Sequence, residues 1–218
     1  MTPRQGSAPR TRALAALLLL ALAAPVAAGA QDVPRAPDPR IAARFTGEHR
    51  VRLEAILDSA RAADIPAEPL VQRALEGASR RLPPARIVTA VAGLAERLRL
   101  ARRALGAPAS EADLLAAASA LHAGIEPATL ERLARSRGSA GVALPLIVLV
   151  DIVERGVPQD TAERVILSLS DPRVADADFQ ALRQSILGDI GSGAPAGVAA
   201  AARARGLLVT HGLAAPMP

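Results

Sequence analysis

Three histidines, one cluster of aspartates and one dense run of arginines are the places in this 218-residue sequence where side chains could do chemistry. An imidazole could carry a proton or bind a metal, paired carboxylates could share acid–base work or hold calcium, and arginines could grip phosphate. His49 follows Thr46 and Glu48 and reads as a polar residue in the first turn of a helix. His122 closes the apolar stripe Leu114–Leu121 near a helix end, where an imidazole meets free carbonyls and the negative end of the dipole. His211 lies in a tail flanked by glycine and proline. None has a second histidine three or four residues away, the spacing that sets two ligands on one helical face, so no metal site is expected.

Asp171, Asp176 and Asp178 fall within eight residues, in a segment from Ser170 that leads into a helix. Aspartates there normally cap the helix, and capping is their expected role, with Asp176 the cap of the helix that follows and Ser110 with Asp113 the N-cap pair of the helix from 111. Arg97, Arg99, Arg102 and Arg103 form the densest basic stretch, with Arg80, Arg81 and Arg86 nearby and Glu96 its only acid. On a helix over 84–104 the apolar seam takes one side and leaves these arginines on the solvated flank. The sharper alternative is a patch for phosphorylated glycolipid heads or an acidic partner, because a guanidinium forks phosphate bidentately.

Much chemistry is absent from the composition. The chain has no cysteine, which removes thiol nucleophiles, thiolate metal sites and redox pairs. All 26 basic residues are arginine, so Schiff bases and phosphate-gripping P-loop lysines are excluded as well. Gly191-Ser192-Gly193 has the wrong spacing for a nucleophile elbow. Phe45 and Phe179 are the only aromatics, which takes away the usual stacking platforms for sugars and bases. No catalytic residue and no cofactor is expected.

Residues 1–12 carry Arg4, Arg10 and Arg12 without an acid, and an Ala/Leu run from Ala13 to Ala24 follows. Pro25 and the small-residue end Ala28-Gly29-Ala30 complete the pattern read by a signal peptidase. The run is shorter than the ~20 residues of a spanning helix, so no integral span is expected after cleavage. With no cysteine to acylate and no twin arginine, a general secretory route to the periplasm or exterior is expected. Removing three of 26 arginines and none of 21 acids leaves 23 against 21, too balanced to imply nucleic acid.

The remaining chain must position whatever chemistry exists. Residues 31–40 hold three prolines and read as an extended tether. From Ile41 the apolar period is helical, as in Ile87, Val91, Leu94, Leu98, Ala101 and Leu105. The run Val142–Val150 is β-branched enough for a buried strand, yet a lone strand would have no partner, so a helix from about Pro145 is expected. The spacing predicts nine helices, over 45–63, 66–76, 84–104, 111–123, 127–137, 145–155, 158–169, 177–189 and 195–205, with a tail 207–218.

Pro-Ala followed eleven residues on by Gly occurs at Pro66 to Gly77, Pro127 to Gly138 and Pro195 to Gly206. Proline suits a first helical turn and glycine the residue past a helix end. PATLERLARSRG and PAGVAAAARARG share six of twelve residues, which suggests that hairpin 111–137 is repeated at 177–205. The expectation is a single all-α domain over 41–206, an array of short antiparallel hairpins forming an α-solenoid or a closed bundle. The function expected is an exported, non-enzymatic binding or scaffold protein of the bacterial envelope, partnered by protein or another envelope component. A peripheral protein using Arg97–Arg103 on an anionic surface is the alternative, and a hydrolase using scattered carboxylates a third. Intact-mass measurement of protein exported from a bacterial host should show a product beginning at Gln31; a soluble product retaining residues 1–30 contradicts this.

Overall fold

The computed structural model describes residues 37–213, so the expected signal, its cleavage point, residues 31–36 and the tail 214–218 lie outside the described residues. Among the described residues the regular structure is entirely helical. The helices are α1 (Pro39–Arg44), α2 (Gly47–Ala62), α3 (Glu68–Ser79), α4 (Pro84–Leu105), α5 (Glu111–His122), α6 (Pro127–Arg137), α7 (Ala143–Glu154), α8 (Gln159–Ser168), α9 (Asp176–Gly191) and α10 (Ala196–Thr210). A 3-10 turn, Gly138–Ala140, joins α6 to α7. None of these helices is long and apolar enough to cross a membrane.

All nine expected helices are present, and three local expectations need correction. The tether ends sooner than Arg40, because Asp38 caps α1: its carboxylate accepts the Arg40 N–H at 2.9 Å and Pro39 occupies the first turn. The tail begins later than 207, because α10 continues to Thr210 and buries Leu208. Gly77 and Gly206 do not end their helices. Gly77 sits inside α3, where a Cβ would stand 2.8 Å from Ile87 Cγ1, so glycine there lets α3 lie directly on α4. Of the three Pro-to-Gly blocks only the one ending at Gly138 stops where expected.

The true stop is a different device, built six times. Asp64, Arg81, Gly124, Gly156, Gly193 and Gly212 take positive φ between +53° and +94°. In each case that residue donates its N–H three residues back and the next residue donates five residues back into the helix, as Ile65 does to Ala60, Ile125 to Ala120 and Val157 to Ile152, at 2.9 to 3.0 Å. This double closure satisfies helix-end carbonyls that would otherwise be unpaired. The aliphatic residue that follows is buried at Ile65, Ile125 and Val157, and a proline opens or precedes the next helix.

Packing follows from which faces those stops expose. The helices α4, α5, α7 and α9 pack in succession, and α2 joins them on α4. Beside them α3 and α6 lie on α4, α8 touches α6, and α10 lies on α8 and α9. Short connections do not make every neighbour an antiparallel partner. The broad contacts of α5 are with α4 and α7, and those of α6 are with α4, although only four residues separate α5 from α6. The apolar run Val142–Val150 is helix α7, with Leu146, Val148, Leu149 and Ile152 fully buried. Small residues such as Ala74, Ala95, Ala117, Ala120 and Ala200 reach zero exposure and let axes approach closely.

On α4 the seam runs through Ile87, Val91, Ala95, Leu98 and Ala101, all buried, while Leu94 is half-buried. Leu98→Asp should therefore unfold the domain, since burying an unpaired carboxylate costs several kcal/mol against a typical stability of about 5–15 kcal/mol. Leu94→Asp should cost clearly less. Thermal denaturation that ranks the two in the opposite order contradicts the assigned helix face.

Candidate functional site

The four arginines of α4 do not act as one group. Arg102 turns inward, its Nη1 donating to the carbonyls of Gly106, Ala107 and Ala109 at 3.2 to 3.3 Å. Its Nη2 donates to the Asp64 carbonyl at 3.0 Å, tying the end of α4 to the end of α2. Arg99 donates to Ser59 Oγ on α2 at 2.9 Å and lies 3.4 Å from Glu96. Arg97 is half-buried, with Nε shielded from solvent and a terminal nitrogen close over Gly93. Arg103 remains well exposed, 3.5 Å from Glu96. Two of the four thus spend their hydrogen bonds on α2 and on the turn after α4.

The histidines stay apart. His49 is half-buried in the first turn of α2 and His122 is exposed as the last residue of α5. His211, capping α10, has Nε2 at 3.1 Å from Asp178 Oδ2, off the axis on which its N–H would donate. That carboxylate also accepts the Ala175 N–H at 2.9 Å, so α9 is capped by Asp178 and not by Asp176, the expected cap, which lies within the first turn. Asp171 folds onto Arg173, whose side chain and backbone N–H hold its carboxyl down at about 2. Asp176 lies 3.5 Å from Arg137. The three aspartates thus serve three separate local structures. Among the described residues no group of three His, Asp or Glu side chains could hold a metal ion.

The densest polar construction is one that sequence spacing did not reveal. Asp113, 8% exposed, accepts the Ser110 N–H at 3.1 Å and the Ser110 hydroxyl at 2.7 Å, closing the capping box of α5. Its other oxygen accepts the N–H groups of Val142 and Ala143 at 2.7 and 2.8 Å, capping α7 as well. One carboxylate thus faces the positive ends of two helices. Burial pushes this carboxyl up, but the Ser110 hydroxyl and the N–H groups of Val142, Ser110 and Ala143 outweigh it and hold the group below the usual range.

Arg137, 2% exposed, closes the far side of the same loop. Its Nε donates to the Gly141 carbonyl at 2.6 Å, with longer bonds to the carbonyls of Ala140 and Val174. The guanidinium stands 5.1 Å from the centre of the Phe179 ring. Burial pulls its pKa down, and the charges of Asp176 and Asp113 act against that. Gly141 between the two takes φ +73°, which strains any residue with a Cβ, and a Cβ there would touch Asp113 Oδ1 at 3.4 Å. The only sequence signal for this junction was the Ser110/Asp113 pair.

Open space lies elsewhere. A cleft between α6 and α8 has two adjoining lobes of about 340 and 450 Å³ that share Arg132 and Leu167. The first adds Arg135, Ser136 and Ser170; the second adds Glu126, Gln159, Asp160, Glu163 and Arg164. Its wall is pre-ordered, because Glu163 accepts Thr129 Oγ1 at 2.6 Å and Gln159 Nε2 at 2.9 Å. Both charge signs line it, which suits a polar ligand that donates and accepts along its length. A more apolar cavity of about 440 Å³ abuts the Asp113 loop, bounded by Leu105, Pro108, Ala134 and Val142. His211 and Asp178 line none of these. No protein-family model, curated protein or solved structure matches this chain.

A carboxyl whose pKa is depressed on folding stabilises the protein above its unfolded value, 3.8 for Asp113, and loses that contribution as pH falls through the folded value. Asp113→Asn should therefore cost roughly 2–3 kcal/mol at neutral pH, on the scale of hydrogen bonds to a charged group, and should make the loss of stability below about pH 4 shallower. Urea titrations across pH check both; an unchanged acid limb would show that Asp113 carries no folding-linked charge.

Proposed function

We propose that this is an exported helical-repeat binding protein of the bacterial envelope that holds a polar segment of a partner in the cleft between α6 and α8. The observation that carries the reading is the open, shallow groove between α6 and α8, mixed in charge and ordered along one wall by Thr129, Gln159 and Glu163. An open array of two-helix units gives it a rationale. The pairs α5/α6, α7/α8 and α9/α10 follow one another, with α5 on α7, α7 on α9, α6 on α8 and α8 on α10. Each pair turns at a positive-φ glycine, Gly124, Gly156 or Gly193. Units that touch only their neighbours present a long surface, which is how such proteins bind. The units are not equal in detail, since α9 packs along α10 while α5 has no broad contact with α6.

Two other readings have less support. A continuous arginine face on α4 is interrupted by the inward bonds of Arg99 and Arg102. A hydrolase would want the His211–Asp178 pair beside a cavity, and that pair instead ties the end of α10 to the start of α9.

Photo-crosslinkers placed at Arg135 and Arg164 in the exported protein should give one discrete envelope adduct that a probe at Val51 on α2 does not give. Arg132→Gln should abolish it with a stability change of about 1 kcal/mol, because Arg132 is 53% exposed and stands 3.8 Å from Glu163, and glutamine introduces no second carboxylate beside that largely buried group. Equal labelling from all three positions, or a hydrolytic activity lost in His211→Ala, overturns the proposal.

A further inference from the structure

The six helix stops differ at one corner. Four of the positive-φ positions are glycine, which adopts that region without strain. Asp64 is the fifth, and its carboxylate stands 3.7 Å from Arg102. The sixth is Arg81, at φ +55°, where a long side chain meets a backbone conformation that disfavours any Cβ. Among the described residues its side chain is exposed and has no ion pair. The following aliphatic residue departs from the pattern too. Ile65, Ile125 and Val157 are buried at the equivalent place, whereas Leu82 is 42% exposed.

Every residue from Ser79 to Arg86 is exposed. Between Arg73 and Arg86 four arginines face a single acid, Glu76, which Arg73 and Arg80 share at 3.1 and 2.8 Å. Arg81 and Arg86 are left as the free charges of the corner. The N–H groups of the turn itself are met. Arg81 and Leu82 donate their N–H groups to Ala78 and Gly77 at 3.0 Å, and Pro83 and Pro84 have none to donate. With those N–H groups met and two prolines following, the turn offers little for an extended peptide to pair with.

We propose that the corner Arg80–Arg86 docks on an anionic phospholipid surface, with Leu82 entering the boundary between headgroups and acyl chains. Arg81 and Arg86 take the phosphates, and Arg80 and Arg73 stand behind them. Charge complementarity selects this occupant, since guanidinium forks match phosphate and a lone exposed leucine between them matches the edge of the apolar layer. The inference is independent of the cleft between α6 and α8, which involves neither α3 nor the start of α4.

The test exploits the strain. Arg81→Gly relieves the backbone, so it should leave thermal stability equal or higher while weakening vesicle binding about five-fold, the factor that one arginine supplies at an anionic surface. Vesicles of phosphatidylcholine mixed with phosphatidylglycerol should bind the protein in flotation, and vesicles of phosphatidylcholine alone should not. Arg86→Gln and Leu82→Ser should each weaken that binding, and raised salt should abolish it. Equal binding to both lipids, or no loss in the Arg81→Gly and Arg86→Gln double variant, overturns the proposal. So does a poly-glutamate peptide that competes fully while Leu82→Ser has no effect, which would assign the corner to an acidic protein.

Discussion

The carboxylate of Asp113 joins two helix N-termini that no stretch of sequence brings together. Ser110 and Asp113 close α5 locally, while Val142 and Ala143 reach the same side chain from the start of α7. Without that acceptor two N–H groups at the head of α7, the most apolar of the described helices, would be unpaired at a largely buried site, and each would cost on the order of 1–3 kcal/mol. Arg137 secures the other side of the loop and extends the connection through Val174 and Phe179 to α9. The order of α5, α7 and α9 therefore rests on two charged side chains and the glycine between them.

Arginine does most of the polar work because it is the only cation available besides histidine. Its five donors let a single side chain satisfy several carbonyls, as Arg102 does at the end of α4 and Arg137 does inside the domain. A high arginine content is thus partly structural. Arg81 and Arg86 on the corner after α3 are not spent this way, whereas Arg132, Arg135 and Arg164 beside α6 and α8 stand 3.4 to 3.8 Å from Glu163, Glu131 and Asp160. The two surfaces have different characters. The cleft carries both signs of charge and ordered walls, whereas the corner is convex, basic and tipped with leucine.

Catalytic chemistry needs groups that converge, and here the candidates are dispersed by their structural duties. Asp171 serves a loop, Asp176 faces Arg137, and Asp178 caps α9. A carboxylate that accepts backbone N–H groups is held ionised and in place, which suits it for architecture more than for exchanging protons.

The sequence by itself determined the helical class, the nine longer helices and the capping pair Ser110 and Asp113, because periodicity and capping are local properties that three to four residues encode. It also placed α7 correctly, since a lone apolar strand would have lacked a partner. Tertiary structure alone decided which glycines stop helices: Gly77 looked like a terminator until Ile87 was seen to need its space. It alone separated inward arginines from outward ones, since Arg99, Arg102 and Arg103 share a helix but not a fate, and their partners Ser59 and Asp64 lie about forty residues away. Long-range hydrogen bonds leave no periodic trace in a sequence. A buried arginine reads, before folding, like any other surface charge.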